Sequence, residues 1–319
     1  MNDHLAAYEP RLVDELHAEV FHNLARWSLA SCTCGTSPER HVEQSYIAAT
    51  FCAFCLPPHA SLREALIAAK CCLLFFLVDD GSTRLLSGFV DFLEADTKQA
   101  NSEPAQCLVA LLDEMTAHDC GTEDLKSNIH EWAVSMAAEQ DLVHDSVAYE
   151  DHYTLRKHTI FVSCLVSCWI SLLGIDLSSR HSSVCDGLVD LAIRMVILAN
   201  DLGSINTDST NIHSANTGRA TPGHNGTLVD INSVLLRSSS SRSYDQAVLE
   251  AISQYNSYVI EFRKRARLLL NPSAPPDSQM EKFLPVVRNI VNGNLAGTRH
   301  LVAERYEGSS RQLSRLHLI

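Results

Sequence analysis

Apolar residues recur at spacings of three and four along most of this chain, and that period constrains the fold more than any other feature. The repeats cover roughly residues 41–55, 61–78, 103–118, 122–142, 147–174, 181–205, 243–269 and 278–306. Such spacing keeps one face of an α-helix apolar. No short stretch alternates between turn residues in the manner of a strand. The expected fold class is therefore all-α. Its breaks are short: Pro57-Pro58 before the helix start Ser61-Leu62-Arg63-Glu64, Asp119-Cys120-Gly121-Thr122, and Gly174-Ile175-Asp176. Pro272 to Pro276 is too brief to mark a boundary, so the 319 residues are expected to form one domain, with 1–40 as an N-terminal extension. One polar stretch, 206–227, carries Gly218, Pro222, Gly223 and Gly226 and is expected to be a long loop rather than a core helix.

Two oxygen-rich clusters each end a strongly apolar run. Asp79-Asp80 follows Cys71-Cys72-Leu73-Leu74-Phe75-Phe76-Leu77-Val78, and Asn200 to Asp208 follows Leu191 to Ala199. On a helix turning about 100° per residue, Asn200, Ser204 and Asp208 fall on one face, each about 40° from the last. An amide oxygen, a hydroxyl and a carboxylate suit Mg²⁺, a hard cation that keeps waters and takes further oxygens from a phosphate. Seen alone, the same residues also read as a helix end running into a polar loop. Asp79 and Asp80, at a helix C-terminus where the dipole disfavours acids, read either as cation ligands or as surface acids opening a turn with Gly81-Ser82. Arg156, with Lys157 beside it, is either a surface arginine or a fork for a diphosphate. Glu304-Arg305-Tyr306 offers another guanidinium and a phenol.

The net charge is −13, which repels phosphate backbones and anionic headgroups, and no Lys/Arg-rich block is expected to offer a local exception, so nucleic-acid and membrane-surface binding are not expected. A polyanionic substrate remains accessible to so acidic a protein when divalent cations stand between them. The first ten residues lack the basic start and apolar core of a signal peptide. The longest apolar run, Ile160 to Ile175, falls short of the roughly 20 residues of a membrane span, and the expected location is the cytoplasm. Most of the cysteines considered, Cys52, Cys55, Cys71, Cys72, Cys164 and Cys168, fall in apolar helical patterns, which fits reduced, buried thiols. Cys52-Ala53-Phe54-Cys55 has no second pair at zinc-site spacing.

Taken together, these elements resemble the class I terpene synthases of the bacterial and fungal type. Asp79-Asp80 matches the start of that family's aspartate-rich motif, and Asn200, Ser204 and Asp208 match its second metal motif. Arg156 matches its diphosphate-sensing arginine, and Arg305-Tyr306 its C-terminal Arg-Tyr pair. All four occur in the family's order between about Phe51 and Tyr306. The chain departs from the pattern at Gly81-Ser82-Thr83-Arg84, where another acid is usual, at Thr207, where a Lys or Arg is common, and at Thr159-Ile160, where a helix break often has a Gly. After 206–227 the familiar pattern resumes at about Asp230-Ile231-Asn232-Ser233-Val234-Leu235.

The resemblance implies an antiparallel α-helical bundle and a cyclase acting on a linear prenyl diphosphate, farnesyl before geranylgeranyl, to give a terpene hydrocarbon or alcohol. Mg²⁺, three ions in number and replaceable by Mn²⁺, would be held by Asp79, Asn200, Ser204 and Asp208. Arg156, Arg305 and Tyr306 would bind the diphosphate, with Asp80 orienting Arg156 or a water. Phe76, one turn before the acids, would face the cavity, and 206–227 would supply part of a lid. A homodimer is implied by resemblance only. Phe54, Trp132, Phe161 and Trp169 fit core spacing better than cavity lining. A chain-elongating prenyl transferase would call for a second aspartate-rich motif in place of Asn/Ser/Asp. A helical prenyl-diphosphate-binding or interaction protein without turnover is the other alternative, suited by the missing third acid and Thr207.

Overall fold

The computed structural model describes residues 14–31, 37–79, 83–95, 102–140, 149–177, 182–216, 232–235, 243–270, 278–305 and 310–319. In chain order its helices are α1 (Glu15–Ser31), α2 (Pro38–Cys55), α3 (Leu62–Asp79), α4 (Thr83–Glu94), α5 (Glu103–Thr116) and α6 (Glu123–Gln140). They continue with α7 (Tyr149–Thr159), α8 (Val162–Leu172), α9 (Ser182–Asn216), α10 (Tyr244–Leu269), α11 (Ser278–Arg305) and the short α12 (Ser310–Leu313). No strand occurs among the described residues, as the apolar period predicts.

Local chemistry fixes where several helices begin. Ser37 accepts from the Arg40 amide and Pro38 occupies the first turn of α2, where a missing N–H costs nothing. Before α3, the Ser61 amide donates to Glu64 while the Glu64 amide donates back to the Ser61 hydroxyl at 3.3 Å. Ser243 and Gln246 form the same reciprocal cap on α10. Packing then decides their faces: α2 lies against α1, α3 and α11, and α9 lies against α10, α11, α8 and α7. Trp132, Trp169, Tyr46, Phe21 and Phe89 are among the largest fully buried side chains.

Three sequence expectations change. The N-terminal extension contains α1, whose Val20, Phe21, Leu24 and Ala25 are fully buried at helical spacing, so residues 15–31 are part of the bundle. The helix expected over 147–174 is broken at Ile160-Phe161, where Phe161 takes φ 63°. That left-handed conformation strains a residue with a Cβ, and the ring is anchored by stacking on Phe75 at 4.9 Å and meeting Trp132 at 5.0 Å. The break thus exists without glycine. Finally, α9 runs to Asn216, so the first part of the loop expected over 206–227 is helical. Once a long helix is nucleated, each further residue adds a backbone bond at little cost, even for weak formers such as Asn, Ser and Thr. Residues 217–231 lie outside the described residues, and with them the expected lid.

The thiols are buried as expected. Cys52, Cys55, Cys71, Cys72, Cys164 and Cys168 are free and buried. Cys52 donates to the Ala65 carbonyl at 3.1 Å and Cys55 to the Ile290 carbonyl at 3.7 Å, so the two ends of the CxxC pattern are committed to different helices. Burial pushes the Cys55 thiol up to about 12. Both are packing groups rather than nucleophiles.

Candidate active site

Helices α7 and α9 bring the second oxygen cluster and the arginine together. Arg156 stands in the last turn of α7, is 5% exposed, and donates from Nη2 to the Asn200 Oδ1 at 3.2 Å. It is therefore a buried guanidinium rather than a surface one. Its neighbours are paired elsewhere: Lys157 with Asp190 at 3.6 Å and His158 with Glu131 at 3.2 Å. The helix is also held by Arg194, which donates to Asp190 at 2.8 Å and lies 4.3 Å over the Tyr153 ring and 5.8 Å from that of Tyr258. One cation–π stack thus ties α7 to α9 and α10 and fixes where Arg156 can reach.

Ser204 follows Asn200 by one turn on the same face, half-buried like it. Its hydroxyl lies 3.5 Å from the Asn232 Nδ2, which donates at 2.7 Å to the Asp201 carbonyl. Asp201 lies about 100° round the helix from Asn200 and is 1% exposed. Its carboxylate accepts from the Ser233 amide at 3.0 Å and from the Ser233 hydroxyl. The Asn232 Oδ1 in turn accepts from the amides of Val234 at 2.9 Å and Leu235 at 3.3 Å, closing the helical turn at 233–235. Residues 232–235 are thereby latched onto α9 beside Ser204. Sequence reasoning missed this latch. Asp201 was visible as an acid in an apolar helix, but nothing local reveals a partner 32 residues away.

Asp79 closes α3 at its C-terminal end, half-buried. Phe76, one turn earlier, is 8% exposed and stacks on Phe51 at 5.9 Å, with Phe75 edge-on at 5.0 Å. Its carbonyl accepts from Gln44 Nε2 at 3.4 Å. Their helix packs on α8, and α8 in turn on α9. Trp132, Phe161 and Trp169 are buried as expected, and Phe54 is half-buried against His300 at 5.7 Å. Asp208 and Arg305 lie on helical backbone of α9 and α11, so the helix persists through Asp208; their side chains, and all of Asp80 and Tyr306, lie outside the described residues. Among the described residues no group of three His, Cys, Asp or Glu forms a metal site. An amide and a hydroxyl supply the described oxygens instead.

The family described as terpene synthase family 2, C-terminal metal binding, matches residues 70–219, the span that holds Asp79, Arg156, Asn200, Ser204 and Asp208. Over those residues the chain is similar to that family, and its fold is that of the class I terpene synthases. The match and the fold together support a terpene synthase or cyclase, a lyase by reaction class. No curated protein sequence matches the chain. Solved structures share its fold at low identity. One is 2-methylisoborneol synthase from Streptomyces coelicolor A3(2) in complex with Mg²⁺ and 2-fluoroneryl diphosphate: 16% identity, 94% of this chain and 96% of that one covered, TM-score 0.72. Another is the SVS_A2 protein from ancestral sequence reconstruction, in a form mutated at five positions: 17% identity, 93% and 87% covered, TM-score 0.71. An apo structure named for hedycaryol gives 18%, 91%, 96% and 0.66. These likenesses establish the class I terpene synthase fold for the chain.

Proposed function

We propose that the protein is a terpene synthase that ionises a linear prenyl diphosphate, with farnesyl diphosphate the first choice and geranylgeranyl diphosphate next, in a Mg²⁺-dependent reaction. The resulting carbocation is cyclised to a terpene hydrocarbon or alcohol with release of diphosphate. The observation that carries this reading is the buried Arg156 guanidinium set against Asn200, with Ser204 one turn further along the same face. A buried planar fork of N–H donors beside an amide oxygen and a hydroxyl places donors suited to diphosphate oxygens next to oxygens suited to a hard cation.

The oxygens available are hard donors without sulfur or imidazole, the set that suits Mg²⁺. Asp79 would hold it from one wall, and Asn200, Ser204 and Asp208 from the other. When bound, Mg²⁺ neutralises charge developing on the leaving diphosphate. Arg156 contributes its planar fork of N–H donors to the same oxygens, aided by Arg305 and Tyr306, while Asp80 orients Arg156 or a water. Phe76 and Phe51 offer ring faces that stabilise positive charge without supplying a nucleophile. The latch at Asp201 holds Ser204 in register. A neighbour of the same fold with Mg²⁺ and a diphosphate analogue bound supports the metal and the substrate class. The same reading takes the chain as one domain.

Incubation with farnesyl, geranylgeranyl and geranyl diphosphates, each with and without Mg²⁺, followed by gas chromatography and mass detection, tests this directly. A Mg²⁺-dependent cyclic product from one substrate is expected. Folded protein that yields none from any would give the assignment to a prenyl-diphosphate-binding protein without turnover.

A further inference from the structure

The C-terminal half of α10 carries an outward face unlike the rest of this acidic molecule. Ile260 is 68% and Leu268 71% exposed, with Leu270 50% exposed just beyond the helix. Between them Arg263, Lys264 and Arg267 are all exposed. At about 100° per residue, Ile260, Arg263, Lys264, Arg267 and Leu268 occupy an arc of about 140°, while Val259 and Phe262 on the other side are buried. Leu318, 47% exposed, borders the same face, because Arg263 Nη2 donates to its carbonyl at 2.8 Å. The acid of this stretch, Glu261, is held by Arg265 at 2.7 Å and lies 4.0 Å from Lys264; one carboxylate against Arg263, Lys264, Arg265 and Arg267 leaves the face with a net positive charge. Residues 263–267, Arg-Lys-Arg-Ala-Arg, are a basic block that the net charge of −13 hides.

We infer that this face docks the protein onto an anionic lipid surface. Cations interleaved with exposed aliphatic side chains match the two layers of a bilayer interface: phosphate headgroups for Arg263, Lys264 and Arg267, and the acyl boundary for Ile260, Leu268, Leu270 and Leu318. A second copy of the chain fits less well, since two-fold pairing sets these cations against themselves. Among the described residues no helix is long and apolar enough to cross a membrane, so docking is peripheral. The inference stands apart from catalysis. It also suits the chemistry proposed, because a prenyl diphosphate is an amphiphile and a terpene partitions into lipid.

The test is co-sedimentation of the full chain, without substrate, with phosphatidylcholine vesicles that contain or lack phosphatidylserine, at low and physiological salt. Binding is expected only to the anionic vesicles, weakening with salt. K264Q and R267Q should each lower the partition about fivefold, and I260D/L268D should abolish it, with thermal melting unchanged because all four side chains are exposed. Equal binding to both vesicles, no binding, or undiminished binding by the variants overturns the inference. Concentration-dependent dimerisation abolished by I260D/L268D would assign the face to a second copy instead.

Discussion

Replacing Gly293 with alanine should cost the protein a large part of its stability, because α11 crosses α2 there at backbone contact. A Cβ built at Gly293 would lie 2.5 Å from the Phe54 carbonyl carbon and 2.6 Å from the Cys55 nitrogen, with the Phe54 oxygen nearer still. Ordinary carbon contacts sit at roughly 3.5–4.0 Å, so the helices must separate by about 1 Å. Separation stretches the Asn289 to Leu56 hydrogen bond, now 2.7 Å, and the Cys55 to Ile290 contact at 3.7 Å. Overpacking of this kind costs about 1–3 kcal/mol or more and a weakened amide bond about 1 kcal/mol, against a gain of about 1 kcal/mol in helix propensity. The net loss is about 1–3 kcal/mol or more. Gly297, one turn on, is the control: its Cβ would meet only the edge of the Phe51 ring, at 3.0 and 3.1 Å. A ring yields where a peptide cannot, so Gly297→Ala should cost under about 1 kcal/mol. Urea unfolding followed by circular dichroism compares the two. Equal stability of Gly293→Ala and the parent would refute the close-crossing argument.

The remaining predictions concern the site and pH. Asn200→Ala or Ser204→Ala should abolish turnover while the protein stays folded, Asn200→Ala losing about 1–3 kcal/mol because buried Arg156 loses an acceptor; turnover retained at unchanged Mg²⁺ would remove either residue from the proposed metal set. Phe76→Ala should redistribute products more than it alters metal affinity, and because Phe51 stacks on Phe76, Gly297→Ala should shift products in the same assay; an unaltered profile from both would return the pair to plain core. Ser233→Ala removes one charge-assisted bond to buried Asp201, worth about 1.5–3 kcal/mol, and should weaken Mn²⁺ uptake in the presence of diphosphate as read by electron paramagnetic resonance; undiminished uptake would reduce the latch to a purely structural tie. His17 is fully buried, and burial first, with His300 second and Asp14 opposing, lowers its pKa to about 4. Its folded value lies below the unfolded 6.5, so the unfolded chain binds the extra proton, and stability falls as pH drops from 6.5 through 4, by up to about 3 kcal/mol. Parallel pH–stability curves for the parent and His17→Gln would exclude this linkage.

How much of this was legible in the sequence follows from how far each interaction reaches along the chain. The apolar period and the caps at Ser61 and Ser243 act within a few residues, and the helices they set appear nearly where the period places them. The break at Phe161 was hidden because the apolar period runs straight through it: what holds a left-handed phenylalanine is the stack on Phe75 and Trp132, contacts with other helices. Helix α4 carries Leu86, Phe89 and Val90 at the right spacing but spans too little chain after Gly81-Ser82 to stand out. In the site, the face shared by Asn200 and Ser204 is a property of one helix and could be read from spacing. Arg156 could be noticed but not placed, since a guanidinium beside Lys157 looks equally at home in water until α9 is packed over it. The Asp201 latch is the extreme case. A carboxylate in an apolar helix signals that something must satisfy it, yet the partner lies beyond the polar connection, and only the fold says that it is Ser233. The same locality explains the basic face of α10: net charge averages over the whole chain, whereas a lipid surface senses only the few side chains within a Debye length. Residue patterns therefore specify faces, and tertiary packing specifies what each face meets. For this protein the second step sets a row of neutral oxygens beside a buried guanidinium, a neighbourhood that spacing along one helix cannot show.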